Sequence, residues 1–132
     1  MWLFEQATGR TYENGETDAQ YVGTGYSGAP GYIDNPADQQ LKAEGPLPVG
    51  FYTITAPYQN PKTGPYTMNL EPDPENEMYG RGDFRIHGDS LSAPGTASEG
   101  CIVLARVIRE RIWNSGDHRL QVVSGGTAGT AQ

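Results

Sequence analysis

Short apolar runs broken by glycine and proline recur along the chain, and most alternate with polar positions. Trp2 to Ala7, halted by Thr8-Gly9-Arg10, predicts a strand and a turn, with a partner strand near Thr11-Tyr12. Asn14-Gly15 marks a second turn, and Tyr21 to Tyr26 a short strand closed by Ser27-Gly28 and Pro30-Gly31. After Asn35-Pro36, the segment ADQQLKAEG predicts a helical turn or two, stopped by Gly45. Within GPLPVGFYTITAP, Phe51, Thr53 and Thr55 alternate with Tyr52 and Ile54, which is the period of a strand. Tyr66 to Leu70, Phe84 to His87 and Leu120 to Val123 read as further strands, the second broken by Gly88. Only one helix is expected. Leu104, Ile108 and Ile112 recur at every fourth position, Val107 widens the stripe, and Gly116 ends it. Arg109, Glu110 and Arg111 lie mostly off that stripe. The pattern predicts a mainly β, chiefly antiparallel single domain over residues 1–124, with one helix after the only cysteine. A small, uncharged and mobile tail is expected over 125–132.

Composition narrows the class. A chain of 132 residues is most simply one domain, and 18 glycines with 10 prolines fit short strands and many turns. The formal charge of −7 repels nucleic-acid phosphates and anionic membrane surfaces, and no basic cluster reverses it. A nucleic-acid role is therefore excluded. Nothing approaches the ~18 apolar residues of a membrane span, so no membrane insertion is expected. The start MWLFEQATGR lacks the features of a signal peptide, which predicts a product made in the cytoplasm unless another machine exports it.

Candidate chemistry concentrates in FRIHGDSLSAPGTASEGCIVL, which holds one of two histidines and the lone cysteine. A thiol is nucleophilic as thiolate, and two local features favour that state at Cys101. The positive N-terminal end of the expected helix lies shortly after it, and the His87 imidazole can take its proton. His87 ends one strand and Cys101 begins the next ordered element, which puts both on one rim. Ser98-Glu99-Gly100 forms a tight approach, where the amides of Gly100 and Cys101 can face a developing oxyanion. The second imidazole nitrogen needs a partner: the Gly88 carbonyl or the Asp89 carboxylate. The plainer alternative is a small buried thiol, since Ile102-Val103-Leu104 is core-like. His118 reads as a turn residue, and Tyr26 and Tyr79 as packing rather than groove. Asp73, Glu75 and Glu77 lack the spacing of a calcium loop, and His87, Asp89 and Cys101 are too few for zinc. No metal or cofactor is expected.

HGD…SEGCIVL resembles the active-site signature of the L,D-transpeptidases, in which a histidine and a loop precede Ser/Thr-His-Gly-Cys. GPLPVGFYTI resembles the Pro-x-Gly-x-Phe/Tyr-x-Ile strand of the same fold. The ordered set FEQATGRTYENG, GTGYSG, NPADQQLKAEGPLPVGFYTI, FRIHGDS and SEGCIVL is similar to the DUF2778 group, which includes type VI secretion L,D-transpeptidase effectors. The likeness spans Trp2 to Trp113. It implies a β-sandwich of L,D-transpeptidase type acting on peptidoglycan stem peptides. Cys101 would be the nucleophile, His87 the base and then the acid, and the Gly88 carbonyl the group that orients His87. Ser98, Gly100, Asp89 and Arg85 would complete the oxyanion and substrate site. L,D-carboxypeptidase cleavage or D-amino-acid exchange would follow, in a toxin acting in a neighbour's periplasm and matched by a cognate immunity protein. A housekeeping cross-linking enzyme and a non-catalytic cell-wall-binding or phage module are the alternatives. Two positions depart from the family: Glu99 replaces histidine before Gly-Cys, and Val103 stands where many relatives carry Arg or Asn. Recognition of the stem carboxylate then falls to other residues, with Arg85 or Arg81 expected.

Overall fold

The computed structural model describes residues 1–125. From residue 126 onwards, the expected tail lies outside the described residues. Among the described residues there are ten strands: β1 (Trp2–Glu5), β2 (Arg10–Tyr12), β3 (Tyr21–Thr24), β4 (Tyr26–Ser27), β5 (Gly50–Ile54), β6 (Tyr58–Asn60), β7 (Gly64–Pro72), β8 (Phe84–His87), β9 (Ile102–Val103) and β10 (Arg119–Val123). One helix, α1 (Arg106–Asn114), precedes β10. The helical turns expected after Asn35 reduce to a single 3-10 turn at Pro36–Asp38, whose first amide is capped by Asn35.

Alternation decides which residues meet. Trp2 and Phe4, Tyr52 and Ile54, Met68 and Leu70, Phe84 and Ile86, and Leu120 and Val122 all point to one side of their strands and form the core. Ile112 joins them from α1. Burying each such side chain contributes roughly 1.5–3 kcal/mol before chain entropy is subtracted.

The sheet order is β3-β2-β1-β10-β5-β7-β8-β9-β4, with β6 added beside β7. This differs from the expected antiparallel sandwich. β1 pairs with β10 in parallel, and so does β8 with β9, making one mixed sheet that nearly closes into a barrel. The physical reason is the route of the chain. The connection over residues 88–101 is long enough to carry it back and lay β9 alongside β8 in the same direction. Closure depends on Gly25. The strands at the two ends of the order, β3 and β4, are halves of one bent segment joined by that residue alone. Gly25 donates its amide to the Gly9 carbonyl at 2.9 Å on one side. On the other it packs so tightly that a Cβ would lie 1.9 Å from the Val103 carbonyl oxygen.

The helix also departs from expectation. It begins at Arg106, so Leu104 lies before it, and Val107 is 71% exposed rather than on the apolar face. Arg109, expected off the stripe, is buried beside Ile112.

Candidate functional site

β8 and β9 bring the two candidate groups together. In their parallel register Ile86 pairs with Ile102 and His87 with Val103. Phe84 and Ile86 face the core, so Arg85 and His87 face the opposite side. Cys101, two positions before Val103, shares that side. His87 and Cys101 both line one cleft of about 580 Å³, whose wall also includes Arg85, Asp83 and Glu99.

The imidazole is almost sealed, at 2% exposure, and its Nδ1–H donates to the Gly88 carbonyl at 2.8 Å. Of the two partners expected for that nitrogen, the structure provides Gly88. Nε2 is thereby left as the acceptor nitrogen. Burial holds the imidazole pKa below its ordinary value of 6.5; the Gly88 bond opposes this, and the charges of Arg109 and Arg85 add to it.

The cysteine thiol is half-buried, with the Asp83 carbonyl a distant 4.0 Å from Sγ. Burial raises its pKa above the ordinary 9.0, opposed by the Arg85 backbone amide and by the charges of Arg85 and Arg81. Help from the helix N-terminus does not materialise. β9 intervenes, and α1 starts only at Arg106, whereas the dipole's influence fades within one turn.

The approach to Cys101 is tied down by a buried hydroxyl network. Ser98 Oγ donates to the Cys101 carbonyl (2.7 Å) and accepts from the amides of Gly28 and Gly100, each at 3.0 Å. Ser27 Oγ donates to the Gly100 carbonyl (2.9 Å) and accepts from the Leu47 amide (2.8 Å). Gly100 has a φ of 133°, and a Cβ there would lie 2.6 Å from Arg81 Nη2 and 2.7 Å from the Phe84 ring, so only glycine fits.

Asp89 organises the loop after His87. Its carboxylate accepts from the Tyr26 hydroxyl (2.6 Å) and from the amides of Ser90 and Gly95. Tyr26 in turn accepts from the Ala97 amide at 3.0 Å, so this tyrosine fastens the loop as well as packing. Arg85 reaches the Tyr58 hydroxyl and the Asp83 carbonyl, both at 3.3 Å, and stays partly open to the cleft. Arg81 is different: it is buried and donates to the carbonyls of Gln39, Gly45, Pro46 and Glu99. Its guanidinium clamps loops together at the wall of the cleft, with its donors spent on these carbonyls. His118 stacks on Trp113 with centroids 3.8 Å apart, away from the cleft. Tyr79 is exposed outside the cleft, and Asp73 is paired with Arg119 at 2.7 Å.

Sequence reasoning missed four residues around the site. Ser27 reads as a turn signal and Arg109 as a position off the apolar stripe, while Lys42 and Lys62 are not singled out at all. The two lysines in fact line the same cleft as Cys101. No motif marks them; their one sequence-level signal is that they are the chain's only lysines.

Residues 22–125 match the model of the Tlde1 domain, which covers every group just described around His87 and Cys101. The chain belongs to the Tlde1 domain family. Tlde1 domains are type VI L,D-transpeptidase-like effectors directed at peptidoglycan, in line with the resemblance carried by the sequence motifs. A solved structure, that of Bdellovibrio bacteriovorus Bd1075, is similar with a TM-score of 0.58 at 17% identity. The match covers 94% of this chain but 47% of that one, so the Tlde1 chain spans about half the length of its structural relative. At this identity the likeness speaks for the fold. Among curated proteins, none matches significantly. In this Tlde1 chain no described helix is long and apolar enough to cross a membrane.

Proposed function

We propose that the chain cleaves the L,D bond of peptidoglycan stem tetrapeptides through a Cys101 acyl-enzyme. The observation that carries this reading is the shared cleft of Cys101 and His87, with Nδ1 of the imidazole held by the Gly88 carbonyl. Nε2 takes the thiol proton as Sγ bonds to the carbonyl carbon at the L-centre of diaminopimelate. The Cys101 amide faces the resulting oxyanion, since the Gly100 amide is engaged by Ser98 Oγ. The C–N bond then breaks, and D-alanine leaves with the proton that His87 returns. Water attacks the thioester, again giving its proton to His87, and tripeptide departs with the thiol restored. A free D-amino acid in place of water gives exchange through the same intermediate.

Family membership supports the wider setting: a type VI effector delivered to a neighbour's periplasm, with a cognate immunity protein guarding the producer. Purified protein incubated with tetrapeptide muropeptides is expected to yield tripeptides and free D-alanine. With added D-methionine, exchanged tetrapeptides accumulate. Neither product forms with Cys101→Ala; equal yields from that variant would overturn the proposal.

A further inference from the structure

The chain carries only two lysines, Lys42 and Lys62, and both line the cleft that holds Cys101. They come from distant segments, so the sequence gives no reason for their meeting. Both are exposed, and among the described residues neither takes part in an ion pair. The arginines, by contrast, all have partners within the protein: backbone carbonyls (Arg81, Arg109), carboxylates (Arg106, Arg111, Arg119) or tyrosine hydroxyls (Arg10, Arg85). In a protein of net charge −7, the two side-chain cations that make neither an ion pair nor a hydrogen bond among the described residues thus both stand beside the candidate nucleophile.

Their supports are rigid. The amides of Lys62 and Thr63 donate to Asn60 Oδ1 at 2.8 and 3.0 Å, and Asn60 is itself buried and tied to Tyr58 at 2.9 Å. Lys42 lies in a turn closed by the Gly45 amide on the Leu41 carbonyl (2.9 Å). Arg81 grips that turn at the carbonyls on either side and also reaches Glu99, two residues from the thiol. One buried guanidinium therefore fixes Lys42 relative to Cys101.

We propose that Lys42 and Lys62 form a carboxylate clamp that binds the acidic stem peptide across the cleft. The proposal rests on the cleavage reading above and names the groups that recognise its substrate. A stem tetrapeptide is a polyanion, which the overall charge of the protein repels. With Arg81 and Arg85, the two flexible ammonium groups give the cleft wall four cations against Asp83 and Glu99, a local excess that draws the carboxylates in.

The test compares wild type with Lys42→Met, Lys62→Met and the double variant. The substrates are the tetrapeptide, its C-terminal amide, and a form with its internal carboxylates amidated. The double variant is expected to lose roughly 10- to 100-fold in kcat/KM on the tetrapeptide, mostly through KM. Wild type should lose a similar factor on one amide, and the double variant should not distinguish that amide from the acid. Which amide is affected assigns the clamp to the leaving residue or to the retained tripeptide. Added salt should weaken turnover more in wild type than in the double variant. Calorimetric binding of the same peptides to Cys101→Ala protein reads the clamp without chemistry. Preference for the acid that the double substitution abolishes supports the clamp even where turnover is absent, a result that would sink only the cleavage reading. Unchanged KM and peptide affinity in the double variant overturn the clamp.

Discussion

At the residue scale, His87 and Cys101 are held neutral by the same cause. Burial disfavours the imidazolium and the thiolate alike, so the resting pair is a neutral imidazole and a protonated thiol. Proton transfer then accompanies attack on substrate. The sign of the pH dependence follows. On the acid side the imidazole gains a proton at a pKa below 6.5 and can no longer accept one. On the alkaline side the thiol loses, above 9.0, the proton the leaving amine needs. We predict a kcat/KM profile with a plateau between those values, measured with the tetrapeptide substrate. A thiolate–imidazolium resting pair would instead make alkylation of Cys101 by iodoacetamide fast on the acid side of the plateau, where a protonated thiol reacts slowly. The sequence left open whether Gly88 or Asp89 holds Nδ1, because the choice depends on where one carbonyl points. Gly88 lies just beyond β8 and packs against Arg109 of α1, a long-range contact that no local pattern records.

At the element scale, α1 does more than cover the sheet. Its Arg109 donates through Nε to the Leu104 carbonyl (3.0 Å) and through Nη1 to the carbonyls of Pro65 and Tyr66 (2.9 Å each). Nη2 packs so closely on Gly88 that a Cβ there would lie 2.8 Å from it. The helix thus braces the residue whose carbonyl holds His87. Arg109→Met leaves three carbonyls without their donor, and we expect it to destabilise the fold by about 2–4 kcal/mol, measured by urea unfolding. Arg109→Lys should recover only part of this, because an ammonium cannot reproduce the planar fork. A loss below about 0.5 kcal/mol for both would show that solvent satisfies those carbonyls. The stripe at every fourth position located this helix and the inward side of Ile108 and Ile112, but it misplaced Val107 and Arg109. Periodicity counts arginine as solvent-facing, whereas here a guanidinium finds a turn of bare carbonyls to fill. Longer strands were legible for the converse reason: in β5 the buried Tyr52 and Ile54 alternate with the outward-facing Phe51 and Thr53 over enough residues to show a period of two. β6 and β9, of three and two residues, are too short to show a period.

At the scale of the whole molecule, the cleft exists because the sheet bends back on itself. β4 reaches β9 through the register Tyr26–Val103 and Ser27–Ile102, and only the bend at Gly25 takes the chain from β3, at one end of the strand order, to β4 at the other. Such closure couples pairs far apart in sequence, so the individual strands could be read from the chain while their arrangement could not. The bend gives a sharp prediction. In Gly25→Ala the new methyl meets the Val103 carbonyl at 1.9 Å and Leu104 Cδ2 at 2.7 Å. A carbonyl in a paired strand cannot yield by that distance without separating β4 from β9. Ser27 would then lose its hold on Gly100, and Tyr26 its hold on Asp89 and Ala97. We expect a loss of about 3 kcal/mol or more in urea unfolding, with faster hydrogen exchange at Ile102 and Val103 than at Leu120 and Val122. Gly82→Ala is the control. It has open space around the new methyl and no positive φ, so it should be neutral or stabilise by up to ~1 kcal/mol. If Gly25→Ala unfolds at the same urea concentration as wild type, the contact with Val103 is not what closes the sheet, and the cleft must be held by its loops alone.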